Sequence, residues 1–404
     1  MVEFSNVFES LNYEAKKIFS VIQKNGPITK YDISLITNLK LTTLIRIMQP
    51  LVDSGLVVES KIGESTGGRK PVLYDVNTNR FCIIGIDISR TYIQIVITNL
   101  KMQILHKHRF EMELSCSPEI TLSKIEEAVQ TFRKRFDFDK NILLGAGVGT
   151  VGPLDREKGI VVNPVNFEAP GWVNVPLKSM VEGKLNCPAI LDNGANAAVL
   201  AETYFGAGKG LRNVVYFNCG VGIRTGAISS GTIIRTLNDS EDVFGHMVID
   251  VDGEECSCGN FGCIECYASI PAITKRFVSE VKKGRMTSVA KPLNQINYID
   301  ICNGAKDNDL LAMEVLQGAA VIMGTGLANF INLLNPGLVI LSGPLVNHSE
   351  IFYNTCIDIA SKKSYLNKEN TVLFSRGGIF EENAISVGSA ALVVEGFLGN
   401  RNLT

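Results

Sequence analysis

At 404 residues the chain is too long for one ordinary domain, and its 46% hydrophobic and 20% charged content describes a soluble globular protein with ample core, not a disordered or fibrous one. A formal charge of -2 excludes a global attraction to nucleic acid, so any contact with DNA has to come from a local surface. Ten cysteines over this length do not make a secreted disulfide scaffold and fit a reducing cytoplasm, Met1 to Ser10 lacks the basic, apolar lead of a signal peptide, and no apolar run is expected to reach the ~20 residues that span a bilayer.

Taken in order, Leu11, Ala15, Ile18, Phe19 and Ile22 recur at helical spacing until Gly26-Pro27 stops them. Thr29, with Asp32 three residues on, opens a short helix carrying Ile33, Leu35 and Ile36. After a break at Asn38 to Leu41, Thr42 is expected to cap a third helix with Leu44, Ile47, Met48 and Leu51 facing inward, and Gly55 ends it. Three short helices with that break outline a helix-turn-helix. Pro50 lies inside the third and should bend it or end it early. The face opposite the apolar stripe carries Thr42, Thr43, Arg46 and Gln49. Arg suits guanine and Gln adenine in the major groove, and threonine hydroxyls suit phosphates, although a solvated face of any three-helix bundle reads the same way.

The next stretch tips the balance. Leu56 to Glu59 and Arg69 to Tyr74 read as strands around a Gly63 to Gly68 tip, a hairpin whose Gly67, Gly68, Arg69 and Lys70 make a slender basic wing able to reach a minor groove or phosphates. Residues 1 to 75 hold nine Lys or Arg against eight Asp or Glu, so non-specific DNA affinity should be weak. From Phe81 the pattern turns to strands (Phe81 to Asp87, Tyr92 to Thr98, Ile104 to Phe110), a helix at Glu119 to Arg135 and a strand at Leu143 to Val148, which suggest half of an actin-like, ribonuclease-H-like α/β fold. Val214 to Phe217, Gly226 to Ile228 and Ile233-Ile234 open a second half, followed by a helix at Ala319 to Leu334, a strand at Leu338 to Leu341 and a last helix near Ala384 to Phe397.

Within the second half, His246, Cys256, Cys258 and Cys263 are the ligand set and compact spacing of a structural Zn²⁺ site, a brace with no open coordination position. Cys266 could compete as a ligand but ranks below, because Tyr267 and Ala268 suggest that a helix has begun; a cluster of buried free cysteines is the plainer alternative.

The run from Gly245-His246 through Gly253, Cys256, Cys258, Gly259, Asn260, Gly262, Cys263, Glu265 and Tyr267 resembles the zinc and sugar motif of the ROK family of repressors, open reading frames and kinases. Gly67 to Tyr74 resembles the wing of ROK repressors, and the likeness covers nearly the whole chain. The resemblance implies sugar-hydroxyl contacts at Asn193, His246 and Glu265, with Val243 standing where kinases of the family have a sugar-binding glutamate. It also exposes three losses. The kinase turn Asp-x-Gly-Gly-Thr-Lys corresponds to Asp87, Ile88, Ser89, Arg90, Thr91 and Tyr92, and the turn Gly-Thr-Gly-x-Gly-x-Gly to Gly220 through Gly226, with Val221 and Arg224 replacing a threonine and a glycine. The Asn-Asp-Ala-Asn of the catalytic base reads Asn193, Gly194, Ala195 and Asn196, and glycine accepts no proton. Arg90 or Arg224 could take an anionic effector in the vacated space.

The expected organisation is a winged helix-turn-helix over 1–78, a first lobe over 79–195 completed by 384–400, and a second lobe with the zinc motif over 196–383. The expected function is a sugar- or sugar-phosphate-responsive repressor without enzymatic activity, binding double-stranded operator DNA as a homodimer or dimer of dimers, with no membrane partner. A sugar kinase with an N-terminal extension and a regulator controlled by a protein partner are the alternatives.

Overall fold

The computed structural model describes residues 7–8, 10–62, 71–135, 142–164, 166–167, 169–235, 243–365 and 372–399. The chain divides into two compact units, Met1–Ala197 with Ile385–Leu403, and Ala198–Ala384.

The first unit begins with α1 (Tyr13–Asn25), whose N-cap Asn12 accepts from the amide of Ala15 at 2.9 Å and whose Ala15, Ile18, Phe19 and Ile22 are buried. Strand β1 (Ile28–Thr29), α2 (Lys30–Thr37) and α3 (Leu41–Asp53) follow. Thr29 caps α2 by accepting from the amide of Asp32, and Asn38 ends it in the left-handed region. The N-cap of α3 is Lys40, which makes no side-chain cap bond, so Thr42 lies inside the helix and does not cap it. Nor does Pro50 end the helix, which runs on to Asp53. Pro50 is exposed and only three residues from the C-terminus, where the lost amide deprives a single carbonyl, that of Arg46. Strands β2 (Val57–Ile62) and β3 (Val72–Val76) pair antiparallel, and β1 adds to the other edge of β3 through Ile28 and Thr29 opposite Tyr74 and Leu73. The helices and hairpin form a winged helix-turn-helix, and the wing residues Gly67, Gly68, Arg69 and Lys70 fall outside the described residues.

Behind this head stand β4 (Phe81–Ile88), β5 (Tyr92–Thr98), β6 (Ile104–Glu111), α4 (Pro118–Arg135), β7 (Ile142–Thr150), the small pair β8 (Leu154–Asp155) and β9 (Ile160–Val161), α5 (Leu177–Leu185), β10 (Ala189–Asn193) and the start of α6 (Gly194–Phe205), which passes into the second unit at Ala198. The main sheet runs β10-β7-β4-β5-β6, with β4, β7 and β10 parallel, β5 antiparallel to β4 and β6 antiparallel to β5. The final helix, Ala384–Leu398, lies so close to one face that a Cβ at Gly85 or Gly147 would collide with the carbonyls of Ser386 or Ser389. Lys24 of α1 faces Glu395 of that helix, and burial pushes its ammonium down to about 8, with Glu395 pulling it back up. Well below pH 8 folded and unfolded chains both carry this proton and the burial cost is felt in full; as pH rises from 8 towards 10.5 the folded state sheds it first and the cost fades. Lys24→Met is therefore expected to raise the melting temperature at neutral pH and to give no gain by pH 10.5, in melts recorded across that range.

In the second unit the sheet contains β11 (Val214–Cys219), β12 (Ile223–Ser229), β13 (Thr232–Ile233), β14 (Leu338–Ser342) and β15 (Leu373–Arg376), in the order β13-β12-β11-β14-β15. Counted from its own first strand, each sheet has the order 3-2-1-4-5, with the second and third strands antiparallel and the fourth and fifth parallel. This duplicated unit is the actin-like ATPase fold. The helices are α7 (Glu265–Ala268), α8 (Ile270–Lys282), α9 (Tyr298–Lys306), α10 (Leu310–Leu334), α11 (Pro344–His348) and α12 (Glu350–Lys363). At 25 residues α10 is long and apolar enough to cross a membrane, contrary to the expectation that no apolar run approaches that length. Its apolar face is used internally: Val315, Leu316, Met323, Leu327 and Ile331 are buried, and Gly324 lets the carbonyl of Cys356 in α12 come within 2.7 Å of where a Cβ would stand.

Candidate metal centre, ligand-binding residues and DNA-reading helix

The metal loop is shaped by two isolated β-bridges, Val248 to Cys263 and Glu255 to Phe261, and by left-handed turns at Gly259 and Gly262. A side chain at Gly262 would collide with the carbonyl of Asp250, so this turn requires glycine on two grounds. The amide of Cys256 donates to the carbonyl of Asn260 at 2.7 Å and that of Gly259 to Cys256 at 2.9 Å, folding three of the ligands inward. As a result Nδ1 of His246 and the Sγ atoms of Cys256, Cys258 and Cys263 lie within 4.8 Å of one another. Cys256 Sγ is 3.5 Å from His246 Nδ1, and Cys258 Sγ is 3.8 Å from Cys263 Sγ. A tetrahedral zinc with Zn–S of ~2.3 Å and Zn–N of ~2.0 Å has edges of about 3.8 Å between sulfurs and about 3.5 Å between sulfur and nitrogen, so the residues fit a divalent metal. Burial, with the neighbouring thiols, pushes the Cys263 thiol well up, so a cation among the four ligands would favour its ionised form. Cys266 is not one of the four, but its thiol hydrogen-bonds to Cys256 and its Sγ lies 3.7 Å from the carbonyl of Glu255.

Two residues on, Glu265 begins α7, its amide held by the carbonyl of Gly245 at 2.9 Å. Its Oε2 accepts from the amide of Ile223 at 2.9 Å, so this carboxylate joins the metal loop to the Gly220–Gly226 turn. Val243, at the position of the kinase glutamate, is exposed, and its carbonyl accepts from the amide of His246. In that turn Arg224 is 5% exposed, sits opposite Asn218 across β11 and β12, and leaves Nη1 without a hydrogen-bond partner among the described residues.

Asn193, the third candidate sugar contact, belongs to the first unit and is fully buried. Its Oδ1 accepts from the amide of Ala195 at 2.7 Å, capping α6. Sequence reasoning overlooked its neighbour Asp192, which is 2% exposed. Oδ1 of Asp192 accepts from Asn193 N at 2.8 Å and Asn196 Nδ2 at 3.0 Å, while Oδ2 lies 3.7 Å from Arg156 Nη1. With Gly194 following, the nearest carboxylate in this segment is already committed to holding the turn. In the first kinase turn Ser89, Arg90 and Thr91 use no left-handed residue, and Ser89 N simply closes the hairpin onto Tyr92 O at 2.9 Å.

On α3 the buried stripe is Leu44, Met48 and Leu51. Thr42, Arg46 and Gln49 are exposed and Thr43 is half-buried. Gln49 Nε2 donates to Asp53 Oδ1 at 2.7 Å. Ile45, 48% exposed on α3, is an apolar side chain that hydrophobic patterning assigned to neither side.

The model described as the ROK family matches residues 83–395. The xylose repressor of Bacillus spizizenii is 32% identical over 385 residues, which are 95% of this chain and 95% of the relative. Among solved structures, a ROK family transcriptional regulator described as a homologue of the E. coli MLC protein has a TM-score of 0.79 at 23% identity, covering 98% of this chain and 97% of that one. A ROK family glucokinase from Streptomyces griseus, solved with glucose and AMPPNP, has a TM-score of 0.65 at 25% identity and matches 77% of this chain but 98% of itself. A body that nearly accounts for a kinase, with a head that the regulators share, and a family model running through most of both units, lead to one assignment: the chain belongs to the ROK family.

Proposed function

We propose that this chain is a cytoplasmic transcriptional repressor that binds double-stranded operator DNA through its winged helix-turn-helix and is controlled by a sugar or sugar phosphate. The observation that carries this reading is Gly194, the first residue of α6, at the position of the proton acceptor in a kinase of this family, beside an Asp192 whose oxygens are already engaged. Phosphoryl transfer needs a placed acceptor for the hydroxyl proton and a backbone cradle for the phosphates. Ser89, Arg90 and Arg224 replace the glycines of that cradle.

Thr42, Thr43, Arg46 and Gln49, with Gly67, Gly68, Arg69 and Lys70 of the wing, are the proposed DNA contacts. Asn193, His246 and Glu265 are the proposed effector contacts. His246 serves twice, with Nδ1, 3.5 Å from Cys256 Sγ, on a structural zinc that fixes the ring and Nε2 turned to a sugar hydroxyl. The effector acts by binding one state of the protein better than the other, and a homodimer or dimer of dimers carries that difference to paired heads. The name of the Bacillus spizizenii relative makes D-xylose the first sugar to test.

A coupled assay of ATP consumption against a panel of hexoses, pentoses and amino sugars is expected to stay at background for the native chain and for Gly194→Asp, which restores the acceptor but neither glycine turn. Sugar-dependent turnover lost on Glu265→Gln would establish a kinase instead.

A further inference from the structure

We propose that Lys101 is a positioning residue that locks the DNA-reading head to the first lobe, so that the lobe dictates the angle at which the head meets DNA. The inference rests on the DNA-binding reading above.

Lys101 sits in the tight turn between β5 and β6, a part of the body. The turn is rigid in its own right: Asn99 Oδ1 accepts from the amides of Lys101 at 2.9 Å and Gln103 at 3.2 Å, Asn99 Nδ2 donates to Gln103 Oε1 at 2.8 Å, and Met102 takes a φ of 59°. The Lys101 ammonium has three protons and three acceptors, all in the head: Asp75 Oδ1 at 2.7 Å, the carbonyl of Gly26 at 2.8 Å and the carbonyl of Gln23 at 3.1 Å. The two carbonyls are at the C-terminus of α1, where they lack helical partners and the helix dipole is negative, so a cation is the fitting cap. Asp75 belongs to β3, the returning strand of the wing, and its carboxylate lies against Gly26 where a side chain would collide. One ammonium from the body therefore joins the first helix and the wing strand of the head, directly before the connection at 77–80.

A reciprocal bond closes the joint, since Gln23, 3% exposed, donates from Nε2 to the carbonyl of Leu100 at 2.8 Å. Besides Lys24, which faces Glu395, the head has an apolar contact with the body. Phe8 stacks on Phe397 of the final helix with ring centroids 5.3 Å apart and meets Phe19 edge-on at 5.1 Å. Apolar contact holds surfaces together without fixing an angle, whereas three directed hydrogen bonds and an ion pair do fix one. The side chains of Lys101 and Asp75 are 17% and 15% exposed, which limits competition from water.

The test uses the full chain and a duplex that it selects from a random library, rebuilt as one half-site and as two half-sites at varied spacing. Wild type should lose about tenfold or more in affinity when the spacing of paired half-sites shifts by ~5 bp, half a helical turn. Lys101→Met should flatten that profile to within about threefold and leave single half-site affinity unchanged, and Lys101→Arg should restore it. Asp75→Asn, which keeps the shape and the two carbonyl bonds, should give an intermediate profile and guards against a poorly folded Lys101→Met. A flat wild-type profile, an unchanged profile in either variant, or an equal loss on the single half-site overturns the assignment. Failure of the wild-type chain to select any duplex defeats the DNA-binding reading itself, which separates the two results.

Discussion

Cys256→Ala is expected to abolish stoichiometric metal. The wild-type chain purified without chelator should carry about one zinc per chain by plasma mass spectrometry, and the variant a background amount. Four groups with edges of 3.5 and 3.8 Å are held together by backbone turns, but burial and the neighbouring thiols oppose ionisation of Cys263. Without the cation the loop from Val243 to Ala268 keeps only backbone links, such as the Val248 to Cys263 bridge, between its two ends. Because Glu265 Oε2 anchors Ile223 from within that loop, the Gly220–Gly226 turn should loosen with it. Loss of a structural metal belongs with the largest single-site effects, roughly 4 kcal/mol or more. In a unit of this size that lowers the melting transition by about 8–16 °C. Amide exchange should rise at both segments, while the head, in the other unit, keeps its protection. Full zinc occupancy with unchanged melting in Cys256→Ala would remove these four residues as the ligand set.

Arg46→Ala should weaken binding to a selected duplex by ~1–3 kcal/mol, about five- to 150-fold, and relax base choice at one position, with little change on random DNA. Arg46 is the exposed cation in the middle of α3, flanked by Thr42 and Gln49 one turn to either side. Gln49→Ala should cost less, because in the free protein its amide already donates to Asp53 at 2.7 Å and part of any base contact is offset by that loss. Arg69→Ala, in the wing, should weaken all duplexes alike and reduce the salt slope by ~1. Binding isotherms at several salt concentrations on selected and scrambled duplexes separate these cases. A uniform loss from Arg46→Ala would make it a phosphate contact.

Much of this architecture was legible because the responsible signals are local. The apolar spacing of Ala15, Ile18, Phe19 and Ile22 and the Thr29 to Asp32 cap are short-range, and the structure has α1 and α2 where those signals fall. The metal cluster was equally readable, since three of its ligands lie within eight residues. Strand β1 was not, because two residues become a strand only by meeting Tyr74 and Leu73 far along the chain. β12 begins at Ile223, earlier than expected, since a buried Arg224 and adjacent glycines disguise a strand. The Lys40 start of α3 was missed because Thr42 is the better capping residue by type while backbone geometry chose otherwise. Lys101 and Asp192 were missed for one reason: a lysine in a turn and an aspartate before a helix look solvated until their partners, 26 and 36 residues away in sequence, are seen beside them.

The central claim is that a carbohydrate ligand controls the DNA affinity of a body that no longer transfers phosphate. Fluorescence anisotropy of the selected duplex, titrated with the full chain in the presence and absence of D-xylose and of a panel of sugars and sugar phosphates, tests it most directly. The account predicts specific binding that at least one member of the panel weakens by about tenfold or more, in the 1–3 kcal/mol range of allosteric coupling, without ATP. Binding no tighter than to random DNA, or specific binding that every member of the panel leaves unchanged, would contradict it.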